Sequence, residues 1–473
     1  MGILDERKLI AREKRNSTIT AYYGPTENLR EDLEVTDIRQ RIRTFSQTAA
    51  DELTVALNLL STIKDIAVVI HGAIGCSAAM LGNEFQNRKQ VEIDDTFTWY
   101  STNLNERDTI MGGDEKLRAT VERAYHENKP KAIFVVGTAV VAINNDDITS
   151  VILELQDELE IPIIQINTDG FKSKAGINGS DIVLHGIGKY LIANREDVSD
   201  NLVTIVGTTL SRQTKKETEQ VLEQLGLQAN VIPRYASVDE IRNTSKSVAT
   251  IALNNEEAEV LLQGLGERGI PEIKAQAPIG TNAISKWLSQ LGKQLSIQEK
   301  VEAFIKEEEK KVQSYIAKQP LKGERVYINL PASLAGSVVE LVEELGGEVV
   351  GITIPFVDEG NKENLKHWKK SLYVQVGEGQ LFELANIFAK NQVTYYISEQ
   401  AKGSFGAKQG VIPIPIGNKN IFFYQGIKTF VESLTRAKRS VSYTNYIKDG
   451  SKKVYTDGWT KKSTNWYIKQ EVK

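Results

Sequence analysis

Ten short runs rich in β-branched residues punctuate the chain, with stretches of helical spacing between them. They are IAVVI (66–70), AIFVVG (132–137), IPIIQIN (161–167), LVTIVG (202–207), VATIAL (248–253), RVYINL (325–330), EVVGITI (348–354), LYVQV (372–376), VTYYI (393–397) and VIPIPI (411–416). Such runs read as parallel strands covered on both faces, with helices as the crossovers. They fall into three groups, which predicts an α/β protein of three Rossmann-like parallel-sheet domains. A length of 473 residues accommodates three domains at roughly 100 to 200 residues each. Edges are expected near residue 200, before LVTIVG, and near 320, at the Pro320 to Glu324 linker. This gives domains 1–200, 201–320 and 321–435, followed by a tail, 436–473.

Helices between the runs are legible by period. After Ala332, the residues Leu334, Val338, Leu341, Val342 and Leu345 form one apolar stripe that ends at Gly346-Gly347. Ser296 with Glu299 has the spacing of a capping box and predicts a helix start there. Gly264, Gly266 and Gly269 match GxGxxG as a string, but a helical pattern precedes them and a strand near Ile270 follows. A dinucleotide site needs the reverse order, so the glycines read as a helix C-cap. No GxxxxGK[ST] string occurs, so any ATP hydrolysis linked to this chain is expected in another protein.

Charge and cysteine content exclude several functions. With 58 basic and 62 acidic residues, there is no chain-wide electrostatic case for nucleic-acid binding. The tail differs: ten basic residues against three acidic ones give it +7 and leave −11 for the rest. Tyr443, Tyr446, Tyr455, Trp459, Trp466 and Tyr467 lie within it. Aromatics need something to pack on, so the tail is expected to be a strap on a partner subunit. MGILDERK lacks a secretory core, and no aliphatic stretch approaches the ~20 residues that span a bilayer. A cytoplasmic protein with no membrane association is expected.

Cys76 is the only cysteine, and His71, His126, His185 and His367 are the only histidines. A four-thiolate iron–sulfur site cannot be built from one chain of this kind. The segment IAVVIHGAIGCSAAM (66–80) reads as a buried strand, a tight turn through Gly72 and Gly75, and a helical start that carries Cys76. Peptide dipoles there favour thiolate, so Cys76 is placed to ligate a metal or cluster, or else to be a small buried hydrophobe.

In these features the sequence resembles the nitrogenase component 1 superfamily, and the resemblance covers nearly the whole chain. It is carried by His71 to Cys76, by Ser101-Thr102-Asn103-Leu104 followed by Ile110 to Gly113, and by Asn145-Asp146-Asp147-Ile148. Pro162 to Phe171 and the helix at 297–318 add to it. The resemblance implies three α/β domains with a metal-cluster site between domains or at the subunit interface. It also implies that family subunits supply three cysteines each to an interface cluster. Here only the middle one, Cys76, is present; the first position falls at or next to Asp51 and the third at Ala139. Asp51 is either an oxygen ligand or a solvated first-turn carboxylate. The Cys and His that an α-type subunit brings to the large active-site cluster have no counterpart near Ala252 or near Pro413 to Gly417.

One cysteine of this kind resembles most closely the β-like subunit of the cofactor-assembly scaffold. The expected function is that of a β-type subunit that contributes Cys76 to an iron–sulfur cluster shared with a cysteine-richer α-type partner. Electrons would come from an ATP-dependent iron protein. Cys76, Asp51, Gly72 and Gly75 are the expected cofactor-binding residues. Two alternatives stay open: a nitrogenase-like reductase of a substrate other than dinitrogen, and a cluster-free module binding a tetrapyrrole or other small molecule.

Overall fold

All ten β-branched runs form strands, and every one lies in a parallel ladder. The computed structural model describes residues 2–5, 9, 12–16, 18–35, 41–43, 51–78, 98–144, 146–168, 178–377, 381–399, 406, 409–417, 419–440, 457–463 and 468–470. The strands are β1 (Tyr22–Pro25), β2 (Arg41–Arg43), β3 (Ile66–His71), β4 (Thr98–Ser101), β5 (Ala132–Gly137), β6 (Ile163–Asn167), β7 (Leu202–Gly207) and β8 (Gln228–Pro233). They continue as β9 (Ala249–Ala252), β10 (Glu272–Ile273), β11 (Arg325–Asn329), β12 (Glu348–Ile354), β13 (Tyr373–Val376), β14 (Tyr395–Ser398), β15 (Ile412–Pro415) and β16 (Ile468–Gln470).

Three large sheets have the orders β4-β3-β5-β6, β10-β9-β7-β8 and β1-β13-β12-β11-β14-β15, and β16 and β2 form a separate pair. Only β1 runs antiparallel within the large sheets, against β13. β3, β5 and β7 are buried at every residue, which is why their sequences, apart from His71 and Thr204, are apolar rather than alternating. The helices Glu52–Leu60 and Asn178–Leu191 cover one face of the first sheet and Asp114–Asn128 and Ile148–Leu159 the other. Leu261 and Leu262, from the helix Asn255–Glu267 that follows β9, share a core with Leu184 and Ile187. The first two sheets are therefore joined by apolar packing, each such side chain contributing about 1.5–3 kcal/mol.

One local expectation changes. Ser296 does not start a helix; it sits at φ 58° and ends the helix Thr281–Leu295, and Gln298–Ile316 begins with no side-chain cap. The Ile297 amide donates to the Gly292 carbonyl at 2.9 Å, so the two helices meet in a tight joint that a capping residue in extended conformation would not allow. The tail is described at 436–440, 457–463 and 468–470. Its described part packs on its own chain: the Trp459 ring stands edge-on to Phe382 at 5.7 Å, and its indole N–H donates to the Phe382 carbonyl at 3.1 Å. The aromatic finds its apolar cover on the helix Leu381–Asn391, and β16 pairs antiparallel with β2. Tyr443, Tyr446, Tyr455, Trp466 and Tyr467 lie outside the described residues. Gly269, at φ +83°, closes the helix Asn255–Glu267, as the C-cap reading requires. No helix among the described residues is long and apolar enough to cross a membrane.

Candidate functional site

β3 and β5 are neighbours in register, with His71 opposite Gly137, but the chain visits the edge strand β4 between them. Where the order of a parallel sheet reverses in this way, the loops leaving the carboxyl ends of the strands part and leave a crevice. The Thr138 amide donates to the His71 carbonyl at 3.1 Å, and the Leu104 amide to the Gly72 carbonyl at 2.9 Å. The sequence segments around His71, Thr102 and Ala139, far apart in the chain, thus meet at one edge. A Cβ on Gly72 would lie 2.2 Å from Thr138 Oγ1, so only glycine lets the two loops approach so closely.

Cys76 lies in the short 3₁₀ turn Ile74–Ser77, its amide donating to the Ala73 carbonyl at 3.0 Å. The thiol is half-buried, partly packed on the core beneath. Gly75 beside it has nothing within 4 Å in the direction of a side chain. The turn therefore presents one sulfur at an open rim. Ala139 opens the helix Ala139–Asn144 directly after β5, across the crevice. Asp51 is the N-cap of Glu52–Leu60 and accepts from the Thr54 amide at 2.8 Å. Gly179, in the first turn of the helix after β6, packs on the Glu52 carbonyl, which puts Asp51 at the same end of the sheet as Cys76.

Beneath the rim is a polar group that residue-type reasoning did not assemble. His71 is fully buried; its Nδ1 lies 3.2 Å from Thr102 Oγ1 and its Nε2 3.4 Å from Asp146 Oδ2. Burial pulls the imidazole down to about 4, against the opposing field of the Asp114 carboxylate, and burial pushes the Asp146 carboxyl above its ordinary value. His71 is thus a neutral strut under the turn. His71 Nε2 and Asp146 Oδ2 face each other without forming a hydrogen bond, and Ser77 Oγ and Thr138 Oγ1 are buried without a partner, so the crevice floor holds polar atoms that the described residues leave unsatisfied. Thr102 and Asp146 stand out in the sequence only as parts of motifs; their pairing with His71 is a product of the topology.

Around the rim the surface is apolar. Ile74, Ile110, Met111 and Ile143 are 60%, 82%, 75% and 68% exposed, with Glu106, Arg107, Asp114, Glu115 and Asp147 exposed among them. Among the described residues no three His, Cys, Asp or Glu side chains converge as a metal site. One thiol at an open rim, next to unsatisfied polar atoms, fits a cluster shared with another chain; it does not fit one enclosed by this chain. At the positions where the resemblance implied a larger cluster, Ala252, Ile414 and Ile416 are buried aliphatic residues, with the buried Glu257 close to the first in sequence and Glu399 against Gly417.

A family model described as nitrogenase component 1 type oxidoreductase matches residues 53–437. The nitrogenase iron-molybdenum cofactor biosynthesis protein NifE of Sinorhizobium fredii is 26% identical over 372 residues, 73% of each chain. The nitrogenase molybdenum-iron protein alpha chain of Methanosarcina barkeri is 26% identical over 64% of this chain and 58% of its own length. The solved structure of nitrogenase Cp1 at pH 5 superposes with a TM-score of 0.74 at 18% identity, covering 93% of this chain and 98% of that one.

Proposed function

Because this chain belongs to the nitrogenase component 1 type oxidoreductase family, we propose that it is a non-autonomous subunit of a nitrogenase-like oxidoreductase or cofactor-assembly scaffold. In this reading it contributes Cys76 as one ligand of an iron–sulfur cluster, and a cysteine-richer α-type partner supplies the others, since four ligands complete such a cluster. The observation that carries the reading is the single half-buried thiol at an open rim. The relatives quoted include an alpha chain, so it is the ligand inventory, one cysteine where the family pattern has three, that supports the β-type role. The proposed domain limits, 1–200, 201–320 and 321–435, each enclose one sheet, with β1 lent to the third.

A bound cluster supplies one-electron transfer. The chain's own residues hold and shape its place: Cys76 binds iron, neutral His71 braces the turn without placing a charge beneath it, and Gly72 keeps the loops in contact. Asp51 is a second donor at the same end of the sheet. Ile74 faces the partner subunit beside Cys76. Ile110, Met111 and Ile143, with their acidic rim, form the surface on which an ATP-dependent iron protein docks.

Cys76→Ala tests the assignment in the complex co-purified anaerobically with its partner. The complex should lose the iron and visible absorbance of one cluster, while the melting transition of this chain shifts by the equivalent of at most a few kcal/mol. Undiminished iron and absorbance would remove Cys76 from the ligand set.

A further inference from the structure

The second and third sheets face each other through the helices that follow β9 and β11, and the space between their first turns is filled by the chain itself. The helix Ala332–Glu344 has Pro331 at its N-cap and no side-chain cap. The Ser333 amide instead donates to Glu256 Oε2 at 3.0 Å, so a carboxylate from the neighbouring domain occupies that helix end. The Ser333 hydroxyl donates to Asn254 Oδ1, and Asn361 Nδ2 donates to Glu256 Oε1 at 2.9 Å. Asp358, fully buried, accepts from the amides of Gly360 at 3.0 Å and Asn361 at 3.2 Å.

The centre of this network comes from the N-terminal arm. Arg12 is 2% exposed and holds Asp358 with both arms of its fork, Nε to Oδ2 at 2.7 Å and Nη2 to Oδ1 at 2.8 Å. It also donates to the Glu256 carbonyl, lies 3.1 Å from Glu259 Oε2 and sits over the Phe356 ring at 5.1 Å. A Cβ on Gly360 would come within 2.5 Å of Arg12 Nη2, so the seat is shaped to the guanidinium. The same arm reaches the first domain through Arg15, paired with Asp181 at 2.8 and 2.9 Å, and the third sheet through the Ile19 to Val357 bridge.

We propose that the N-terminal arm is a latch that locks the three domains together. Beside Ala252, Glu256 is engaged by Ser333 and Asn361 in this network. The latch stands on its own contacts and does not depend on whether Cys76 binds iron.

Hydrogen–deuterium exchange on the full chain tests it. In Arg12→Ala and in Gly360→Ala the Ser333 and Asn361 amides should exchange on the order of tenfold faster, while β3 and β5 keep their protection. Arg12→Lys should fall between, because an ammonium keeps the charge and loses the fork; it and Gly360→Ala decide the matter if Arg12→Ala fails to fold. Wild-type rates in both Gly360→Ala and Arg12→Lys would overturn the latch.

Discussion

His71 carries a stability cost with a definite sign. Its folded value of about 4 lies below its ordinary 6.5, so as pH falls through 6.5 the unfolded chain takes up a proton that the native state refuses. Stability linked to this group is complete above about pH 6.5 and is lost progressively toward pH 4, up to about 3 kcal/mol. His71→Asn, which keeps a donor and an acceptor but does not titrate, should flatten that acid limb in urea unfolding curves taken at pH 4.5, 5.5 and 7. An unchanged slope would mean that the imidazole is not neutral in the fold.

Between elements, the opposite sign appears where the helix Arg212–Gln224 meets the segment after β15. Glu217 is buried there and accepts from Asn420 Nδ2; burial pushes its carboxyl up to about 7, against the bonds from the Gln425 backbone and Asn420. The native state keeps its proton while the unfolded chain loses it, so the stability is present at low pH and lost between about 4.5 and 7. Glu217→Gln keeps the acceptor for Asn420 and should raise stability at pH 8 by about 1–3 kcal/mol, with little effect at pH 4, by calorimetry or urea midpoint. At this scale the sequence was readable where an element is covered on both sides. The interior strands announce themselves as unbroken apolar runs, whereas β1, β2, β4, β8 and β16 all lie at edges and carry sequences such as YYGP, TWYS and QANVIP. Ser296 misled because its spacing to Glu299 fits a cap as a string, and only the packing of two helices forces it into the left-handed region. The Cys76 turn was legible because strand, glycines and thiol are contiguous. Arg12 was not, since its partner Asp358 is 346 residues away and nothing local marks it.

At the scale of the whole molecule, the outward apolar face at Ile110, Met111 and Ile143 separates two kinds of association. Ile110→Asp with Met111→Asp adds negative charge to a face already rimmed by carboxylates. It should weaken binding of the iron protein at least tenfold, roughly the 1.4 kcal/mol that one lost apolar contact exceeds, while the complex with the partner subunit keeps its cluster absorbance. Equal binding by sedimentation or surface capture would move the docking surface elsewhere. The pairing of β1 with β13 has a further consequence, in time rather than in space. Tyr22–Pro25 has its ladder partner in Tyr373–Val376, roughly 350 residues later, so at about 5 to 20 residues per second the strand waits some 20 to 70 s on the ribosome before its partner exists. The third sheet can take β1, and Arg12 its seat, only after the first two domains have had time to fold, which makes the arm a late piece of the nascent chain to settle although it is the first to be made.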